Sequence, residues 1–334
     1  MIISIVISTY NREKSVIKTL QALHDQKLPL EDFEVIIVDD ASSDDTERIV
    51  CDYIAQHSLS KWQYLRHAEN LGSAGAMNIG IRAARAPLVA FIDDDIVPHQ
   101  TWAAAHLKRH RRETRSVVVV GKVSYPDDWI AKSNLVRYHN SRYIGYSKYT
   151  GPALAGTPLR ATHLAGGNFS VLRAILIDIG MNDERLRRGQ DCDLGIRLQD
   201  RGLSIVYEPE AEVIHFAKQA LSYKKWFSAF QRFYIESAPE IIQKHHNIYY
   251  KQFHWFVERP ELFREALKYS IAKLFIRLVA WPGMGKRITR TLEKHDSNPI
   301  FYLPLVFKYV LLCAAIEGVN MRDRTPPMKT FGRT

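Results

Sequence analysis

Leu88-Val89-Ala90-Phe91-Ile92-Asp93-Asp94-Asp95 is an apolar run that stops abruptly on three carboxylates. Five consecutive apolar residues suit a strand covered on both faces, as in a parallel sheet. Working outward, Ile2, Ile3, Ile5, Val6 and Ile7 form a similar run that ends on Thr9-Tyr10-Asn11-Arg12-Glu13. Glu34 to Val38 is another, ending on Asp39-Asp40-Ala41-Ser42-Ser43-Asp44-Asp45-Thr46, and Trp62 to Leu65 is a fourth. Helical stripes fall between them, through Val16, Ile17, Leu20 and Leu23, and then through Ile49, Tyr53 and Ile54. Asn70 to Asn78, with Gly72 and Gly75, reads as a small-residue turn that opens a helix running to Ala84. Strands alternating with helices predict βαβ units and a mainly parallel sheet flanked by helices. Val117 to Val120 and Leu203 to Tyr207 supply further strands.

In such a sheet, ligands bind beyond the carboxyl ends of the strands. The ends at Thr9-Tyr10-Asn11, Asp39-Asp40 and Asp93-Asp94-Asp95 are therefore expected to face one crevice. No Gly-x-Gly-x-x-Gly turn follows the first strand and no P-loop is present, so a nucleotide bound here is not held in a glycine cradle. Asp93 and Asp95, at i and i+2 of an extended segment, would turn their carboxylates to the same side. Two anions so close need a cation between them or raised pKa values. Oxygen-only ligation of this kind suits Mg²⁺ or Mn²⁺.

The charge of the chain is unevenly spread. Its 46 Lys and Arg against 36 Asp and Glu leave a formal net of +10. Residues 1–217 hold 26 basic and 27 acidic side chains, a net of −1, while residues 218–334 hold 20 and 9, a net of +11. A composition 46% hydrophobic and 25% charged excludes a disordered or fibrous chain. Three separated cysteines, Cys51, Cys192 and Cys313, exclude a disulfide-stapled fold and favour a reducing, cytoplasmic setting. The first eight residues read as a strand and not as a signal peptide. Ile300 to Ile316, interrupted by Lys308, is shorter than the roughly 20 residues that span a bilayer.

Ile5-Val6-Ile7-Ser8-Thr9-Tyr10-Asn11-Arg12, Val38-Asp39-Asp40-Ala41-Ser42-Ser43-Asp44-Asp45-Thr46, the Asn70 to Asn78 turn and Phe91-Ile92-Asp93-Asp94-Asp95 together resemble the family 2 inverting glycosyltransferases. The resemblance holds in order and spacing over roughly residues 1–217. It continues in Gly166-Gly167-Asn168 and Gly189-Gln190-Asp191-Cys192-Asp193-Leu194, followed by Arg197-Leu198 and Gly202. It implies a GT-A nucleotide-diphospho-sugar domain over 1–217, with 218–334 as a basic helical extension. Thr9, Tyr10 and Asp39 or Asp40 would contact the nucleobase, with Arg12 or Glu13 nearby. Asp93 would face the ribose, and Asp95 would bind the divalent ion that bridges the donor diphosphate. Asn11, Asn70, Gly75, Asn78, Asp94 and Asn168 are expected at the same nucleotide-sugar site. Gly166 and Gly167 would let the backbone pass close to the donor sugar, or form an ordinary turn. Asp191 would be the general base, and inversion needs a single base on the face opposite the leaving group. Gln190 stands where the family often has an acidic residue. His215, closing Glu212-Val213-Ile214-His215, would be either a third metal ligand, as in some relatives, or structural.

The expected function is thus metal-dependent transfer of a sugar from a nucleotide diphosphate to a carbohydrate or lipid-linked hydroxyl. The rivals are a sugar nucleotidyltransferase and a non-catalytic binding protein with a degenerate sugar-nucleotide domain. In the last third, Leu267, Ile271, Leu274 and Leu278 form an apolar helical stripe, with Lys268, Lys273 and Arg277 off it. That helix would either pack on the catalytic domain or attach to an anionic membrane surface at its inner face. Nucleic-acid binding through Tyr249, Tyr250, Phe253 and Trp255 near Lys244, His245, His246 and Lys251 ranks last and is not expected, since no nucleic-acid motif accompanies them.

Overall fold

A computed structural model describes residues 1–141, 158–159, 164, 166–216, 222–245, 267–281 and 283–322. The chain divides into two compact units: Met1–Ile130 with His139–Ala217, and Ala131–Tyr138 with Lys218–Thr334. The basic cluster's aromatics Tyr249, Tyr250, Phe253 and Trp255, with His246 and Lys251, lie outside the described residues.

The first unit is built on a nine-stranded mixed sheet. Its parallel half comprises β1 (Ile3–Thr9), β2 (Phe33–Asp39), β3 (Trp62–Arg66) and β4 (Leu88–Ile92). These alternate with α1 (Val16–His24), α2 (Thr46–Gln56) and α3 (Gly72–Ala83). Residues of β1 go alternately to two cores. Ile3, Ile5 and Ile7 join Val35, Ile37 and Trp102 on one face, and Val6 joins Ile36, Val89 and Phe91 on the other. That is why the strands read as unbroken apolar runs.

The remaining strands are β5 (Ile96–Pro98), β6 (Val117–Ser124), β7 (Pro158–Leu159), β8 (Asn168–Leu172) and β9 (Ser204–His215). Helices α4 (Trp102–Arg112), α5 (Asp127–Lys132), α6 (Arg173–Asp178) and α7 (Gln190–Asp200) accompany them. The sheet order is β3-β2-β1-β4-β8-β6-β9-β5, with β7 also on β9. β8 runs antiparallel to both β4 and β6, so the direction reverses at the middle of the sheet. The strand expected at Leu203 to Tyr207 and the run ending at His215 are one continuous strand. A register shift between Gly121 and Lys122, paired to Glu208 and Glu212, bends it so that His215 lies opposite Ile96.

The second unit is helical: α8 (Tyr223–Glu236), α9 (Ala238–Lys244), α10 (Leu267–Val279), α11 (Met284–Lys294) and α12 (Pro304–Arg322). Phe307 stacks on Tyr138 at 4.7 Å and packs near Trp226 and Tyr223. A Cβ on Gly285 would fall 2.6 Å from Phe227 and 2.7 Å from Cys313, so α11 meets its neighbours through bare backbone. α12 corrects the shorter apolar stretch expected from Ile300 to Ile316. At 19 residues it is long and apolar enough to cross a membrane, although half of it is buried within the protein.

Candidate active site

β1, β2 and β4 are in parallel register, with Thr9 opposite Asp39, so their carboxyl ends lie side by side. Asn11, at a left-handed φ of 53°, ties the first two loops together. Its N–H donates to Ser42 Oγ at 2.8 Å, and its Oδ1 accepts from Ser43 N–H at 2.8 Å. Glu13 Oε2 accepts from Asp45 N–H at the rim. Tyr10 is exposed above the crevice, and Thr9 is buried with its carbonyl accepting from Asp40 N–H.

The two carboxylates of β2 are held in different ways. Asp39 accepts from the Tyr64 hydroxyl and from Ser42 N–H, the latter at 2.7 Å. Asp40 accepts from Leu71 and Gly72 N–H at 2.8 Å each, and lies 2.9 Å from His67 Nδ1. It therefore satisfies the start of α3, where a carboxylate is favoured. Asn70 donates to the Asp40 carbonyl.

The acidic cluster is more crowded than its sequence suggests. Asp94 and Asp95 form a turn between β4 and β5 and are not extended, as had been expected. Asp94 points inward, buried, and accepts from Arg12 Nε at 3.0 Å. Asp95 lies between Arg12 Nη2 at 3.6 Å and His215 Nε2 at 3.7 Å. Burial, then Asp95, Asp94 and Asp191, push the Asp93 carboxyl up to about 8. Burial likewise lifts Asp94 to about 6 against the pull of Arg12. Burial opposes the charge on Arg12, yet Asp94 and Asp95 outweigh it and hold the guanidinium more firmly protonated. Burial lowers the His215 imidazole, with Asp95 partly offsetting it, and the ring stacks on Tyr125 at 5.4 Å. Among the described residues, no three His, Cys, Asp or Glu side chains are grouped so as to hold a metal ion. Arg12 is a cation that Asp94 and Asp95 both face at this cluster.

Asp191 stands in the first turn of α7, with Oδ1 accepting from Cys192 N–H at 2.8 Å and Oδ2 from Gly166 N–H at 3.2 Å. Gly167 has a φ of 82°, and a Cβ there would lie 2.2 Å from Asp93 Oδ2. The Gly166-Gly167 backbone thus separates the two acids and touches both. Asp93, Gly166 and Asp191 line one cavity of about 360 Å³, together with Met77, Phe169, Asn182, Arg187, Arg188, Gly189 and Gln190. Sequence reasoning missed the two arginines, which carry no distinctive pattern before the fold brings them to this cavity.

Of the other expected site residues, Asn78 and Asn168 make hydrogen bonds within the protein and Gly75 is buried in a helix. Asn78 lies within α3 and not in a turn; its Nδ2 donates to Asn182 O and Glu184 Oε1 at 3.0 Å, which locks the following loop. Gly75 is buried inside the same helix. Asn168 is fully engaged in the core. Its Oδ1 accepts from Trp102 Nε1 at 2.8 Å and faces His106 Nε2 at 3.1 Å, while Nδ2 donates to Lys122 O and Ala211 O. Nothing on that amide remains for a ligand.

Residues 4–179 match the model of glycosyl transferase family 2. The chain belongs to that family. It is 28% identical over 229 residues to a chondroitin synthase of Escherichia coli, covering 60% of this chain and 32% of that protein. It is 28% identical over 216 residues to a pre-mycofactocin glycosyltransferase of Mycobacterium tuberculosis, covering 65% and 44%. The match thus spans less than half the length of these relatives. Among solved structures, a mannosyltransferase of Pyrobaculum calidifontis in complex with GDP-Man and Mn²⁺ aligns with a TM-score of 0.62 at 17% identity, covering 97% of this chain and 88% of that one. TarS 1–349 of S. aureus in complex with UDP gives 0.52 at 16%, covering 97% and 92%. These two likenesses bear on the fold alone, which is GT-A.

Proposed function

We propose that the chain is an inverting glycosyltransferase that moves a sugar from a nucleotide diphosphate to the hydroxyl of a carbohydrate or lipid-linked acceptor. The observation that carries this reading is the meeting of two acids, Asp93 beside Asp95 and Asp191 across Gly166-Gly167, in one cavity. Asp191 accepts the acceptor's proton as its oxygen bonds to the anomeric carbon, while the bond from that carbon to the diphosphate breaks. Inversion requires this one base. Residues 1–217 would be the catalytic part and 218–334 an accessory part with a membrane-side role, in a reducing, cytoplasmic setting.

The donor set fits a hard divalent ion, Mn²⁺ or Mg²⁺. Asp93 and Asp95 offer oxygen ligands; burial first, and then the neighbouring carboxylates, raise Asp93 to about 8, a cost that a bound cation would relieve. With two carboxylates and at most His215 beside them, the shell would be completed by donor phosphates. When bound, the ion would neutralise charge on the departing diphosphate. Its presence in solved relatives such as the mannosyltransferase with GDP-Man and Mn²⁺ supports this choice.

The test is hydrolysis and transfer across UDP-, GDP- and dTDP-sugars with Mn²⁺. One donor should turn over, EDTA should stop it, and the product anomer should be inverted. Asp191→Asn should lower kcat by about 10²- to 10⁴-fold while a nucleotide diphosphate still shifts the melting temperature. Normal turnover by Asp191→Asn would remove the assigned base.

A further inference from the structure

Within the second unit, α10 is an amphipathic helix turned inside out. Ile271, Leu274, Phe275 and Leu278, at i, i+3, i+4 and i+7, make one apolar stripe, and each is more than half exposed. On another face, Lys273 is only 2% exposed, and Arg277 turns inward to donate to Asn320 Oδ1 at 3.1 Å. An amphipathic helix on a water-facing surface does the reverse, burying the stripe and solvating the cations. The side chains of Leu267 and Lys268, which extend the pattern, lie outside the described residues.

The exposed apolar surface continues past the helix. Trp281 follows it at 65% exposure. The Tyr309 hydroxyl donates to Val279 O at 2.5 Å, which ties α12 to the end of α10, and Leu305 lies one turn earlier on α12. Ile300, Leu303 and Leu305 are all exposed. Leu303 shares a mainly apolar cavity of about 270 Å³ with Phe301 and Val306, and Arg287 stands among its lining. Arg287 belongs to α11, which also exposes Lys286, Arg290 and Lys294.

We infer that this face of the second unit docks on the surface of an anionic phospholipid bilayer. The α10 stripe, Trp281 and the Ile300–Leu305 cluster enter the acyl boundary, and α11 meets the headgroups. The two chemistries present, exposed aliphatic and aromatic side chains beside exposed cations, are those that an anionic lipid interface receives together. A tryptophan with one polar edge suits the boundary itself. A second copy of the chain would bring the same cations against one another, and the net of +11 over residues 218–334 would oppose it. The inference deepens the proposed membrane-side role but needs neither donor nor acceptor.

The experiment is flotation of the full chain with phosphatidylcholine vesicles, with and without phosphatidylglycerol, beside donor hydrolysis without vesicles. Flotation should occur with phosphatidylglycerol and fall steeply when salt is raised to about 0.5 M, where screening shortens electrostatic reach. Leu274→Glu with Phe275→Glu should abolish flotation without changing hydrolysis, melting temperature or oligomeric mass. Arg287→Glu with Arg290→Glu should weaken binding on the order of tenfold or more at low salt. Four results would overturn the inference: no flotation; flotation indifferent to these variants; a lowered melting temperature or changed mass in the Leu274→Glu, Phe275→Glu variant, marking the stripe as internal or self-association packing; and a vesicle-bound fraction that only detergent releases. Loss of hydrolysis with flotation intact would count against the transferase reading instead.

Discussion

Gly167 and Arg187 are the residues at which the site can be tested most sharply. At Gly167 the φ of 82° and the 2.2 Å approach of a Cβ to Asp93 Oδ2 leave no room for even the smallest side chain. Gly167→Ala should therefore displace Asp93 and cost about 1–2 kcal/mol in backbone strain. We expect a lowered melting temperature and a loss of at least about tenfold in kcat/KM, since misplacement by an ångström is enough. Unchanged kinetics would mean that Asp93 does not serve the reaction. Arg187 lines the Asp191 cavity and reaches Asn70 Oδ1 at 3.5 Å. Arg187→Ala should weaken binding of the anionic donor by roughly tenfold, with Arg187→Lys recovering part of it, as expected for a charge-assisted contact to phosphate. Equal binding by both variants and the parent in a nucleotide-diphosphate titration would place the phosphates elsewhere. That Asp191 and Asp93 would come to one cavity could be read from sequence, because their motif spacing places Asp93 at the carboxyl end of a strand and Asp191 at the start of a helix. Arg187 could not, because an arginine pair ahead of a glycine has no distinctive pattern until the fold closes the cavity around it.

At the scale of the element, β8 and α4 share a buried polar chain that holds the mixed half of the sheet together. Asn168 Nδ2 donates to two carbonyls, which fixes its Oδ1 as an acceptor and assigns a proton to His106 Nε2. His106 Nδ1 then accepts from the Ser170 hydroxyl at 2.8 Å, and Ser170 Oγ accepts from His110 Nε2 at 2.9 Å. Burial keeps both rings neutral, lowering His106 to about 3 and His110 to about 4. Asn168→Ala would leave Trp102 Nε1, His106 Nε2 and two carbonyls without this partner, at about 1–3 kcal/mol for each group left unsatisfied. We expect a loss of at least about 3 kcal/mol by denaturant unfolding; a loss below about 1 kcal/mol would show that the chain of bonds is not structural. The parallel half of the sheet was legible because its strands are buried on both faces and end on polar motifs. The antiparallel half was not. A strand's direction leaves no mark on its composition, and an asparagine saturated in the core looks in sequence like one that binds a ligand. α10 was legible as an amphipathic helix, but which face would be covered depends on packing that periodicity does not encode.

For the whole molecule, the acidic cluster and the buried histidines set opposite limits on stability as pH changes. His106 and His110 have folded values near 3 and 4 against an ordinary 6.5. Their contribution is complete above 6.5 and is lost as pH falls toward those folded values. Asp93 and Asp94 have folded values raised to about 8 and about 6 from an ordinary 3.8. Their contribution is complete below about 4 and is lost as pH rises, up to about 8 for Asp93. Between about 4 and 6.5 the gradients oppose each other, so stability there should change little. Above 6.5 the histidines have no further effect and Asp94 is largely ionised, which leaves Asp93 to lower the melting temperature up to about pH 8. Measured in chelator, the melting temperature should fall across that upper window, and Asp93→Asn should flatten the fall. Added Mn²⁺ should raise the melting temperature more at pH 8 than at pH 6, since its ligands must be ionised. A melting temperature that stays level or rises between pH 6.5 and 8 in chelator would mean that the cluster is relieved by the protein's own cations. Arg12 would then be a sufficient counter-ion, and the case for a divalent ion at Asp93 and Asp95 would lose its electrostatic basis.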